Sequence, residues 1–329
     1  MHTSRMWRQL FWANLLLLLT THLGLAQPAS PKAGAAATRE KQKQLWNKMQ
    51  QEVERIAREV DGVAGVAILD LTSGEKLLIN ADEIFPQASL IKLPMLAELY
   101  RQEEQSRKGT TNKARLSDVY TVRQEDMVAD SDIMLGLTPG TTRITNRDLA
   151  IMVSAVSDNA ATNVLIDRVG MENVNTMLDS LGLKNTRLRR KMMDLKAAQE
   201  GRENVSTPRE MVALLEAIWQ NKLFSQPLRD DLLKVLAGHT HYTTFLRAGV
   251  PWDVTIAEKE GELEAVRTVA GIVFAQNRPF AIAVMLTFLN DEAQGEATIG
   301  KIAGVAYRYF DRVGRASEYG RVISPRNTK

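Results

Sequence analysis

Cysteine is absent from all 329 residues of this chain. That excludes a disulfide framework, a thiolate nucleophile and a thiolate metal site, so stability has to come from a buried core. An excess of one charge is lacking too. The 42 basic residues stand against 39 acidic ones, a net charge of +3. Setting aside the two arginines among residues 1–26 leaves 40 against 39, or +1, which gives no reason to expect nucleic acid as a partner. Beyond the N-terminus no stretch is apolar enough to cross a membrane, and there are no glycine-rich phosphate loops and no repeats. His239 and His241 have no Glu-x-x-His motif or third ligand at a telling spacing beside them, so neither a metal nor a cofactor is expected. Asp126, Asp130 and Asp132 lack the glycine and terminal glutamate of a calcium loop and read as solvated surface.

What is present begins with an export signal. Arg5 and Arg8 precede the apolar run of residues 15–19, and Gly24-Leu25-Ala26 supplies the small residues a signal peptidase reads. The alternative, a membrane anchor, is short for a span and is broken by Thr20, Thr21 and His22. With cleavage after Ala26 the mature protein is periplasmic or extracellular and has no membrane attachment. Residues 27–38 are rich in alanine and proline and read as a flexible leader.

Leu45, Met49, Val53, Ile56 and Val60 recur at helical spacing up to Gly62. Residues 63–71, the turn Thr72-Ser73-Gly74 and residues 77–79 read as a β-hairpin. From residue 103 to about 236 the patterns are helical, strongest at 147–156, 160–169, 171–181 and 208–221. Residues 254–257, 266–274 and 280–289 then read as strands, 298–313 as a closing helix, and 315–329 as a polar, frayed tail. β-structure at both ends brackets a helical middle. The economical arrangement is an α/β fold: one antiparallel sheet built from both chain ends (residues 39–85 and 237–314) and flanked by helices, plus an all-α part (residues 86–236), with a cleft between them.

Three motifs carry chemistry. Ser89 and Lys92 stand three residues apart at the start of a helix, hence on one face, and Pro94 suits a first turn. A serine hydroxyl is a weak nucleophile until a neighbouring base takes its proton, which a desolvated lysine can do. Ser157-Asp158-Asn159 falls between two helical patterns, where Ser or Asp is also an ordinary helix cap. Lys259-Glu260-Gly261 follows the strand 254–257, where a lysine beside a glycine is also an ordinary strand edge.

In that order, and in that helix and strand context, the three motifs resemble those of class A β-lactamases and penicillin-recognising serine hydrolases, over about residues 40–314. The resemblance implies that Ser89 is acylated, that Lys92 handles its proton, that Ser157 relays a proton to the leaving nitrogen, and that Lys259 holds Ser157 and the substrate's anionic end. It implies substrate binding by Asn159, Gly261 and Glu262, with the backbone N–H groups of Ser89 and Glu262 as the oxyanion hole. Such fixed donors are worth about 3–4 kcal/mol each. The side chains of Lys92 and Ser157 are then expected within hydrogen-bond reach of Ser89 Oγ, with Lys259 near Ser157 and its charge disfavouring a second one on Lys92.

The family pattern breaks at two places. The family's Glu-x-x-Leu-Asn loop, whose glutamate activates the water that clears the acyl-enzyme, is not found; Lys191 or a methionine falls there, and Asp194 is the nearest carboxylate, with Glu200 and Glu203 further off. Glu260 stands where the family has threonine or serine. Facing the cleft, it would repel a substrate carboxylate about 4 Å away by roughly 4 kcal/mol at an effective dielectric near 20. Either it turns away, toward Arg267 on the next strand, or the substrate lacks that carboxylate. The expectation is therefore an exported, monomeric serine acyl-hydrolase whose partner is a small-molecule acyl donor such as a β-lactam or a cell-wall peptide. The alternatives are a penicillin-binding, peptidase-like or esterase-like enzyme that deacylates slowly, and a non-catalytic wall- or protein-binding module. Four intact reactive side chains argue against the last.

Overall fold

A computed structural model describes residues 31–238 and 243–322 of the chain. The expected export signal and His239 and His241 lie outside the described residues. In chain order the elements are α1 (Pro31–Glu59), β1 (Val63–Asp70), β2 (Lys76–Ile79), β3 (Phe85–Pro86), α2 (Lys92–Arg107), β4 (Val119–Thr121), β5 (Arg143–Thr145), α3 (Asn146–Ala155), α4 (Asn159–Val169), α5 (Met171–Ser180), α6 (Leu195–Gln199), β6 (Val205–Ser206), α7 (Pro208–Trp219), α8 (Gln226–Leu236), β7 (Ile256–Leu263), β8 (Val266–Val273), β9 (Phe280–Thr287) and α9 (Glu292–Gly314). A 3₁₀ turn, Ala88–Ile91, leads directly into α2.

The sheet has the order β2-β1-β9-β8-β7, antiparallel throughout, so the first strands of the chain pair with the last. Its strands β1, β8 and β9 are apolar at almost every position because both faces are covered. Val66, Ile68, Val269, Ile282 and Val284 point to one side, against Trp46, Met49 and Val53 of α1 and Ile299 and Ile302 of α9. Trp46 meets Tyr309 edge-on at 5.4 Å there, and Phe280 stacks on Phe310 at 4.2 Å. Ala67, Leu69, Ala257, Ala270, Ala281 and Ala283 face the other way, toward α2, α7 and α8. These positions are mostly alanine, which lets the helices approach the sheet closely.

α2 is the axis of the helical part. Residues 93, 95–97, 99 and 100 have no exposed surface, as expected of a helix whose first half is apolar on nearly every side. Pro94, the third residue of α2, falls in the first turn, where its missing N–H has no helical partner to lose.

Three boundaries differ from the sequence reading. α1 begins at Pro31, so the expected leader is helical from residue 31; proline is tolerated in a first turn and alanine is the best helix former. β7 runs from Ile256 to Leu263, so Lys259-Glu260-Gly261 lies inside the strand and not after it. The charged residues there break the apolar pattern that marks a strand in sequence. Beyond α9, Ala316 bridges Val322, Lys41 Nζ donates to Tyr319 O at 3.3 Å and Thr38 Oγ1 donates to Glu318 O. The tail expected to fray therefore rests, as far as residue 322, on α1.

Candidate active site

The turn that presents Ser89 is fastened on two sides. Thr268 Oγ1 on β8 donates to Gln87 O at 2.9 Å, and a Cβ added at Gly261 on β7 would sit 2.5 Å from that same carbonyl. Only glycine lets the edge strand come this close to the turn. From the other side Gln87 N donates to Asn204 O at 2.8 Å and Gln87 Nε2 to Val205 O at 3.0 Å. Between these anchors Ala88 takes φ +51°, a left-handed conformation that an alanine adopts only under constraint.

Across the cleft, α3 ends at Ala155 and α4 starts at Asn159, so Ser157-Asp158-Asn159 is the interhelical link. Asp158 caps α4: one carboxylate oxygen accepts from Ala161 N at 2.9 Å, the other from Ile133 N and Met134 N at 3.0 and 2.9 Å. Ser157, at φ +56°, turns both its carbonyl and its hydroxyl toward Lys92.

Lys92 is fully buried, and its Nζ donates to Ser157 O, to Ser157 Oγ at 3.0 Å and to Asn159 Oδ1 at 2.8 Å. Burial, and next the charge of Lys259, hold its ammonium well below the ordinary lysine range. In the neutral amine two N–H bonds suffice for Ser157 O and Asn159 Oδ1, and the lone pair is free to accept the Ser157 proton. Asn159 Nδ2 donates to Ala129 O at 3.3 Å, so one of its two hydrogens is committed to the protein.

The expected hydrogen bonds to the nucleophile are not formed. None among the described residues joins Ser89 Oγ to Lys92 or Ser157, because Lys92 Nζ is spent on Ser157 and Asn159. Lys259 is likewise buried, but it donates to Glu260 Oε1 at 2.6 Å and to Glu260 O at 3.1 Å, with no bond to Ser157. Glu260 thus turns neither outward nor toward Arg267. On an edge strand its side chain reaches round to its neighbour, while Arg267 is held by Glu292 at 2.7 Å and Glu296 at 2.9 Å of α9.

These groups meet in a cavity of about 350 Å³ lined by Ser89, Ser157, Asn159, Glu260, Gly261 and Glu262. Phe274 N donates to Thr255 O, and alternation along the antiparallel ladder from that pair leaves Glu262 opposite Arg267 in a non-hydrogen-bonded pair. The Glu262 N–H therefore points off the free edge of β7, the edge against which the Ser89 turn packs. The Glu262 carboxyl is raised above its ordinary range by partial burial, against the pull of Arg267.

Asp130, Asp132, Arg190, Met192 and Met193 also line this cavity. Asp130 and Asp132 are exposed, as the sequence reading has them, and stand at the rim of this cavity. Ser131 Oγ accepts from Ala160 N at 2.9 Å and Asp130 O from Asn159 N at 3.3 Å, which ties their loop to the start of α4. No motif marks them, since it is Asp158, 25 residues later than Ile133, that pulls this loop in. Asp194 is not among the lining residues. Its carboxylate caps α6 by accepting from Ala197 N at 2.9 Å and borders a neighbouring cavity with Arg123, Asp126 and Lys191. The loop from residue 188 to 204 is closed at its neck by the bridge between Arg187 and Val205 and by an ion pair of 2.7 Å between Arg190 and Glu203.

Known proteins resemble this chain in sequence and in fold. A family model described as the beta-lactamase enzyme family matches residues 48–310. Beta-lactamase AST-1 of Nocardia asteroides is 31% identical over 235 residues, 70% of this chain and 73% of that protein. An imipenem-hydrolyzing beta-lactamase of Enterobacter cloacae is 27% identical over 256 residues, 74% of this chain and 83% of the relative. Among solved structures, an acyl-enzyme complex of a PBP-A mutant with penicillin G superposes with a TM-score of 0.71 at 27% identity, covering 80% of this chain and 97% of the other.

Proposed function

This chain belongs to the beta-lactamase enzyme family, a family of serine hydrolases, and on that premise we propose that it opens the amide of β-lactams by acyl transfer to Ser89. The observation that carries the reading is the buried, charge-depressed Lys92 bonded to Ser157 beneath a cavity that Ser89 lines. Substrate binding draws Ser89 Oγ to Lys92, whose neutral amine takes the hydroxyl proton as oxygen attacks the lactam carbonyl. Catalytic hydrogen bonds of this kind are often formed only once substrate is bound. The N–H groups of Ser89 and Glu262 stabilise the tetrahedral oxyanion. Ser157 then passes the proton from Lys92 to the departing nitrogen, and water releases the acyl group.

A second reading, acylation with slow release, is favoured by one observation. The residues of the loop from 188 to 204 that line the cavity are Arg190, Met192 and Met193, none of which can take a proton from water. Incubating residues 27–329 with a chromogenic cephalosporin, with time course and intact mass in parallel, tests both. Steady turnover supports hydrolysis, and a stoichiometric burst with a stable adduct supports slow release. Neither an adduct nor hydrolysis of simple esters would leave a binding role. Full activity in Ser89→Ala would overturn the assignment. Export belongs to the same proposal, with residues 1–26 as the cleaved signal and the protein monomeric; N-terminal sequencing of the exported protein and its hydrodynamic mass test both.

A further inference from the structure

We infer that this site selects acyl donors bearing no negative charge at the end that meets Lys259: β-lactams as esters rather than free acids, and neutral or cationic acyl donors generally. The inference rests on the reading of Ser89 as nucleophile and extends it to substrate class. A lysine can anchor a substrate carboxylate when its ammonium has a bond to give. Here Lys259 gives two of its three N–H bonds to its own neighbour, Glu260 Oε1 at 2.6 Å and Glu260 O at 3.1 Å, and its charge is already paired with the Glu260 carboxylate. Both residues are buried, so the pair is shielded from salt and from competing water. An incoming carboxylate would have to part a buried ion pair and would then face the displaced Glu260, which itself lines the cavity.

The rest of the lining acts in the same direction. Asp130, Asp132 and Glu262 add three further carboxyl groups, while Arg190, the cation among the described lining residues, is held by Glu203 at 2.7 Å. Lys92 beneath the floor is biased toward its neutral form. A cavity with this balance repels an anion and favours a neutral or positively charged group, the way like-charge juxtaposition rejects wrong partners at interfaces.

The test compares one chromogenic cephalosporin as free acid and as methyl ester, reading the second-order rate of adduct formation by intact mass so that slow release does not matter. The wild-type protein is expected to acylate with the ester at least about tenfold faster, and Glu260→Gln and Glu260→Thr to shrink that ratio about tenfold by speeding reaction with the acid. The same ratio is read as binding by calorimetry on Ser89→Ala, with and without Glu260→Gln. A wild-type preference for the free acid, or a ratio that neither Glu260 substitution moves, overturns the inference. An adduct that persists in Ser89→Ala instead overturns the nucleophile assignment, while the binding ratio still reports on Glu260.

Discussion

Lys92 Nζ donates to Asn159 Oδ1 across 2.8 Å, a bond from the first residue of α2 to the first residue of α4. Two helix N-termini therefore converge on one amine. The positive ends of both helix dipoles add to burial and to Lys259 in disfavouring its protonation. The base that the proposed chemistry needs is made first by burial and next by the charge of Lys259.

The first prediction concerns that amine. Acylation by the wild-type protein is expected to fall as pH is lowered and Lys92 takes up a proton, since only the neutral amine accepts the serine proton, and to do so well below the pH at which an ordinary lysine protonates. Lys92→Arg, which stays charged at every accessible pH, is expected to lose about 10²- to 10⁴-fold in acylation rate. Adduct formation followed by mass across pH checks both, and a variant as fast as wild type would remove Lys92 from the mechanism.

Glu258 sets a pH dependence of stability. It is buried on β7 beside Glu260, with Arg247 and Lys259 as the nearby cations, and burial first, then the Glu260 charge, push its carboxyl up to about 8. The unfolded chain gives up this proton near pH 4.5 while the folded protein keeps it, so the contribution falls as pH rises from about 4.5 to about 8 and is level beyond. Over that window the loss is on the order of 5 kcal/mol at most. Glu258→Gln is expected to gain on the wild type steadily between about pH 5 and pH 8 in urea unfolding. A constant difference would contradict the shift.

Gly261 is predicted to be intolerant of any side chain. An alanine Cβ would lie 2.5 Å from Gln87 O, 2.6 Å from Thr268 Oγ1 and 2.8 Å from Leu90 N, so the strand and the Ser89 turn must part. Gly261→Ala is expected to cost about 1–3 kcal/mol of stability and, in the variant that remains folded, to slow acylation by more than that loss explains. Chemical denaturation and the adduct rate, measured on the same preparation, separate the two effects.

The Arg190–Glu203 pair is predicted to hold the loop that walls the cavity. Arg190 is largely buried and Glu203 only partly so. Glu203→Ala is therefore expected to cost about 1–2 kcal/mol, less than a fully buried pair would, and to expose the loop from residue 188 to 204 to limited proteolysis. Cleavage elsewhere, with this loop intact, would show that the bridge between Arg187 and Val205 suffices to close it.

Legibility in the sequence followed the range of the interactions. The Ser89–Lys92 spacing, the interhelical link at Ser157-Asp158-Asn159 and the hairpin of β1 and β2 are local patterns, set within a turn or two of chain. The apolar strands at both ends could be read because each is buried on two faces, and their pairing followed from having no other strand of that length to join. Alanine-rich residues 31–38 and the charged strand β7 misled because propensity and packing there oppose the apparent texture.

What the sequence by itself determined was the kind of chemistry: a serine, a lysine on the same helical face and a second serine and lysine in an order that fits acyl transfer. The tertiary structure alone decided where the charges go. It turned Glu260 onto Lys259, committed Arg267 to α9, brought Asp130 and Asp132 to the cavity and set Asp194 to capping α6 outside it. Each of those outcomes depends on which surface a side chain meets, and a charged group takes the nearest partner that folding delivers, whatever its distance along the chain.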